Sequence, residues 1–188
     1  MKDFSLESYL SDLKELCAID SGHHYGPGAE AVADFFEARY QALGLHTERR
    51  HYQDNTVAPF LLVSNSEDED FDVLFLAHMD TVFPVGAGAE WPLQEIAEGI
   101  VSGPGCADCK GGCLLLYYTI RSMMEEGKLN FRFRIAMNSD EESGSHYSRA
   151  YFEELAKLLQ MLVDKYSFSG VENSWTKLCY YYDYLGPQ

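Results

Sequence analysis

The stretch Val73-Leu-Phe-Leu-Ala-His78-Met-Asp80-Thr-Val-Phe-Pro84 constrains this chain more than any other. Its apolar run stops at His78, Asp80 follows two residues later, and a turn comes next. A short apolar run with a polar, hinged end reads as a buried strand that delivers side chains to the edge of a sheet. In an α/β protein that edge is where sites are built. Imidazole is a good zinc ligand, and a nearby carboxylate fixes its tautomer and orientation. A lone His at a strand end is more often a packed or hydrogen-bonded histidine, so the rest of the chain has to decide.

Around this stretch the periodicity alternates. Leu6 to Ile19 and Ala29 to Leu43 carry apolar residues at helical spacing, and Gly44 stands as a C-cap. Leu45 to Tyr52 and Phe60 to Ser64 read as strands. The acidic run Ser66-Glu-Asp-Glu-Asp70 reads as a solvated loop, and Val85 to Glu98 as a long connection over the surface. Ile100 and Val101 form a short strand, and Gly111 to Glu126 an apolar helix. Phe131, Phe133, Ile135 and Met137 alternate with Arg132, Arg134 and Ala136, which is strand period, and the arginines read as its polar face. A last helix starts near Ser148. Alternating strands and helices predict an α/β fold, three-layer α/β/α, with a mainly parallel sheet.

At 188 residues the chain can bury a good core. A net charge of -16 leaves no basic surface to neutralise phosphates, which excludes nucleic-acid binding and docking on anionic membranes. No run reaches the length of a membrane span, and the N-terminus lacks a signal-peptide core, so a cytoplasmic location is expected. The five cysteines, 17, 106, 109, 113 and 179, are an odd count and fit reduced thiols better than a disulfide framework.

Three polar clusters follow strands: His78 with Asp80, Asp108 within Gly103-Pro-Gly-Cys-Ala-Asp-Cys-Lys-Gly-Gly112, and the pair Glu141-Glu142. Loops at the carboxyl ends of parallel strands converge, so the three predict one shared site. Imidazole with carboxylates suits zinc, with manganese or cobalt as alternatives. The glycines around Asp108 lack Rossmann or Walker spacing. His23 and His24 lie in a glycine-rich loop and read as solvated.

These motifs, with Cys17-Ala-Ile-Asp-Ser-Gly22 and Gly44-Leu45, resemble those of the M20 family of two-zinc metallopeptidases, closest to its glutamate carboxypeptidase-like members. The resemblance covers Leu6 to Lys157 and implies a zinc-exopeptidase-like catalytic domain. It implies that His78 binds one zinc, Asp108 bridges two, and Glu142 binds the second. It implies that Asp80 orients His78 and that Glu141 is the general base, together with a cis peptide between Asp108 and Cys109. The substrate implied is a small peptide or N-acyl amino acid, and full-length members carry a dimerisation domain.

The resemblance also implies a further carboxylate ligand and a late histidine ligand. No histidine follows His146, and Asp164 and Glu172 match only by location, so each metal is expected to lack one protein ligand. The chain is therefore expected to be a truncated member. Residues 1–157 would be the N-terminal part of the catalytic domain and 158–188 a divergent tail. Two other readings stay open. One is a non-catalytic remnant that binds metal weakly or binds a partner. The other is a cysteine-based metal or redox protein built on Cys106, Cys109 and Cys113.

Overall fold

A computed structural model describes residues 4–166 apart from Asn55 and Glu69, with side chains as far as Leu158. Glu172 and most of the expected tail lie outside the described residues, as does the side chain of Asp164.

Helix α1 (Leu6–Ala18) starts where Ser5 accepts the Ser8 N–H, satisfying one of the donors that a helix start leaves free. It buries Leu13, Leu16 and Cys17. Helix α2 (Gly26–Ala42) begins three residues before the apolar spacing predicts. Pro27 near its first turn presets a helical backbone without needing an N–H partner. Gly44, at φ 78°, supplies the left-handed exit. Strands β1 (His46–Arg50), β2 (Phe60–Ser64) and β3 (Val73–His78) follow. The expected irregular connection holds a one-turn helix α3 (Ala87–Glu90) and strand β4 (Gln94–Ala97), which pairs with β5 (Ile100–Ser102) as a separate two-stranded ribbon. Helix α4 (Lys110–Glu125), strand β6 (Phe133–Asn138) and helix α5 (Arg149–Tyr166) complete the described chain.

The main sheet runs β1-β2-β6-β3 and is mixed. Only β3 and β6 are parallel, while β1–β2 and β2–β6 are antiparallel, so the expectation of a mainly parallel sheet is corrected. The reason lies in the connections. A parallel pairing needs a long crossover, and α4 supplies one between β3 and β6. No helix separates β1 from β2, so the chain turns back on itself there.

Both faces of the sheet are covered, which gives the expected three layers. Leu61, Val63, Phe133, Ile135 and Met137 pack against Leu16, Val32, Phe36, Leu114 and Ile120 of α1, α2 and α4. The opposite face carries Phe60, Leu62 and Ala136, covered by Leu155 of α5. Ala136 is therefore fully buried, and the face that Arg132 and Arg134 mark as polar is polar only at its end.

Candidate metal centre

The parallel pair β3–β6 sets the site, because it ends in register with His78 opposite Asn138. Two of the predicted loops leave from these adjacent strand ends. The third arrives differently: the loop carrying Asp108 follows β5 of the separate ribbon and runs into the start of α4. The Asp108–Cys109 peptide is cis.

The four expected groups meet. His78 Nε2 lies 2.9 Å from Asp108 Oδ1. His78 also groups with Glu141 and Glu142, with one ligand atom from each within 4.8 Å of the others. The Asp108 carboxylate is 78% exposed, so its contact with the ring contributes little and leaves it free to turn toward a cation.

Asp80 is wholly buried, and its carboxylate does more than the sequence predicts. The nearest acceptor to His78 Nδ1 is the backbone carbonyl of Asp80 at 3.1 Å, with Asp80 Oδ1 at 3.5 Å. The carboxylate itself accepts the backbone N–H groups of Glu141 (3.2 Å) and Glu142 (2.9 Å). One side chain thus ties the two loops together.

From the other side, Asp140 holds the same loop. It accepts the N–H groups of Tyr147 (2.7 Å) and Ser148 (3.1 Å), and Asn138 Nδ2 donates to it and to Ser148 Oγ. This network also seats the start of α5. With both sides of the loop fixed, Glu141 and Glu142 are aimed by backbone and not by their own side-chain bonds.

The electrostatics fit a cation. Burial, with the nearby carboxylates of Asp80 and Asp108, raises the pKa of Glu141 above the ordinary glutamate value, although His78 pulls the other way. Glu142 is raised for the same reasons. Burial opposes a charge on His78, but Asp80 and the Cys109 sulfur outweigh it and push its pKa up to about 12. One ring nitrogen amid three carboxylates that repel one another is a donor set suited to zinc, manganese or cobalt.

Lys110 and Asp20 were assigned no role from sequence, and Cys109 only one in a cysteine-based site. Lys110 is buried, and its Nζ donates to the carbonyls of Leu16 (3.0 Å) and Ile19 (2.6 Å), locking the Asp108 loop onto the end of α1. Its place two residues after Asp108 was the only signal. Asp20 accepts the N–H groups of Gly86 (2.7 Å) and Gly88 (2.9 Å) and pins the chain beyond Asp80. These bonds hold the Asp20 pKa below the usual carboxylate range. Cys109 turns its sulfur to the backbone of His78.

The other candidates do not join the site. His23 and His24 pack on each other, ring centroids 3.7 Å apart, and enter no metal-ligand group among the described residues. Among the described residues no cluster of three cysteines forms. Cys109 pairs with Cys113, not with Cys106, which removes the support for a metal site built on the run of cysteines.

An α/β sheet whose parallel strand ends bring an imidazole together with carboxylates, joined by one more from a neighbouring loop, carries a candidate metal site. The sequence model of peptidase family M20/M25/M40 matches residues 74–174, running past Lys157, and the chain belongs to this family. It is 31% identical over 151 residues to carboxypeptidase G2 of Pseudomonas sp. (strain RS-16), which covers 79% of this chain and 36% of that protein. It is 28% identical over 145 residues to cysteinylglycine-S-conjugate dipeptidase of Corynebacterium striatum, covering 73% of this chain and 31% of that protein. Its fold matches human carnosine dipeptidase 1 with a TM-score of 0.68 at 21% identity, over 80% of this chain and 35% of that one. The chain thus spans about a third of the length of the curated relatives it matches.

Proposed function

We propose that the chain carries the metal-binding core of a hydrolase that cleaves the amide bond of a small peptide or N-acyl amino acid, releasing a C-terminal amino acid. The observation that carries this reading is the double role of Asp80. It sits beside the His78 ring and accepts the N–H groups of both Glu141 and Glu142. A buried carboxylate is costly unless it is paired and hydrogen-bonded, and the donors that compensate Asp80 are the N–H groups of the two glutamates.

In this reading His78, Asp108 and Glu142 would hold divalent metal, zinc by preference, with Asp108 placed to serve both ions of a two-metal site. The ions, when bound, acidify water and polarise the amide carbonyl. Glu141 takes the proton of the attacking water and returns it to the leaving amine, a task suited to a carboxyl whose pKa is raised. Asp80 keeps Nδ1 of His78 as the donor, so that Nε2 would present its lone pair once a cation displaces the proton it otherwise holds. Residues 1–157 act as the N-terminal part of the catalytic domain.

A second reading, a domain that binds metal without turnover, is favoured by the ligand count. With His78, Asp108 and Glu142 as the ligands and Asp108 shared, each ion would have two protein ligands among the described residues, and the resembled family's sites carry more. Hydrolysis of a panel of dipeptides and N-acyl amino acids with added zinc or cobalt decides between them. Metal-dependent turnover that falls about 10²–10⁴-fold in Glu141→Ala, with zinc binding retained, is the expected result. A folded chain that binds zinc but turns over nothing in the panel establishes the second reading.

A further inference from the structure

The described cysteines are not equivalent. Cys109 is half-buried at the start of α4, and Cys113 is buried one helical turn further on. Their sulfurs lie 3.5 Å apart. Both contact the backbone of His78, the last residue of β3: Cys109 Sγ accepts the His78 N–H (3.3 Å), and the thiols of Cys109 (3.2 Å) and Cys113 (3.3 Å) both donate to the His78 carbonyl. Two thiols held sulfur to sulfur against the backbone of a site residue exceed what packing requires, since one small apolar side chain would fill each position.

We infer that Cys109 and Cys113 form a reversible disulfide when the protein meets a hydroperoxide, and that this bond loosens the backbone of His78. Closing the pair takes the sulfurs from 3.5 Å to about 2.05 Å, the length of an S–S bond. The chemistry runs in two steps. The Cys109 sulfur attacks one peroxide oxygen, the O–O bond breaks, and the departing oxygen leaves as water or alcohol with the thiol's proton. This leaves Cys109 as a sulfenic acid. The Cys113 sulfur then attacks the Cys109 sulfur, the S–S bond forms, the S–O bond breaks, and water leaves with the Cys113 proton. Two thiols are oxidised, one peroxide is reduced, and no other reactant is needed.

The disulfide has no thiol hydrogen, so the His78 carbonyl loses both of its sulfur donors. Cys109 also adjoins Asp108, and a shift of its sulfur displaces the residue facing the His78 ring. The bond itself does not depend on the hydrolase reading, whereas the effect on the site does.

The full chain, freed of metal by a chelator, is treated with hydrogen peroxide, alkylated, digested and mapped by mass spectrometry. The expected product is a link between Cys109 and Cys113 that dithiothreitol reverses. In Cys113→Ala, which removes one buried sulfur, Cys109 is expected to proceed to the sulfinic acid instead. Free thiols at 109 and 113 after treatment, or links that involve only Cys17, Cys106 or Cys179, would overturn the inference. Zinc affinity of the oxidised chain is expected to fall at least about tenfold and to return on reduction. A mapped link with unchanged zinc affinity would overturn the coupling to His78 and keep the disulfide, and a chain that binds no zinc in either state would count against the hydrolase reading alone.

Discussion

At the scale of single residues, position in the hydrogen-bond network matters more than residue type. Asp80 and Asp108 are both carboxylates near His78, yet one is wholly buried and the other mostly exposed. Replacing Asp80 with Asn puts an amide NH2 against one of the two backbone N–H groups that now donate to its carboxylate. Asp80→Asn is expected to cost about 1–3 kcal/mol in denaturant unfolding and to weaken zinc binding about 10–100-fold in a competition titration. Glu142 gives a pH signature. Its pKa is higher in the folded chain than the ordinary glutamate value, so the native state keeps its proton longer than the unfolded state does. The sign follows: without metal, this group costs stability as pH rises through the window above about 4.3. Glu142→Gln is therefore expected to raise the Tm of the chelated protein at neutral pH, with no gain at lower pH once both states are protonated. With zinc present the order should reverse, because the wild type regains a ligand.

At the scale of elements, the loop of Asp108 depends on α1. Lys110 reaches the last carbonyls of that helix, where the helix dipole favours a cation. Lys110→Met removes the Nζ donor from both carbonyls, of which that of Leu16 keeps the Ile19 N–H, and is expected to cost about 1–3 kcal/mol. Burial lowers the Lys110 pKa to about 8, so the unfolded chain holds the proton more firmly. The cost of charging this buried amine is therefore present in full below that pH and eases as pH rises toward the ordinary lysine value. Denaturation of wild type and Lys110→Met at roughly neutral pH and near pH 9.5 tests this, with the wild-type advantage expected to widen at the higher pH. Elements also show where sequence reasoning stopped. The helix over α4 and the strand over β6 were legible because their apolar spacing spans several turns or alternations. The pairing of β2 with β6 was not, because period-2 alternation does not say which neighbour a strand takes or in which direction.

At the scale of the whole molecule, metal and fold are linked. Three carboxylates held close together repel one another until a cation arrives, so binding and stability should rise together. Zinc at about a hundred times its Kd is expected to add about 2.7 kcal/mol, a Tm increase of roughly 5–10 °C, removed by chelation. A melting curve over a zinc series measures this directly. Among the described residues no helix is long and apolar enough to cross a membrane.

The sequence by itself determined the α/β class, the helices and strands that carry the site, and the identity of the groups that meet there. His78, Asp108, Glu141 and Glu142 were readable because each motif fixes a residue type beside a turn, and such chemistry is local. Tertiary structure alone decided how they meet. It made the sheet mixed, since strand direction depends on whether a helix or a plain loop makes the connection. It brought Asp108 in from a separate ribbon, with Lys110 anchored to a helix some ninety residues earlier in the chain. It also gave Asp80 its second task, because a buried carboxylate must find donors, and the N–H groups it found belong to a loop sixty residues away.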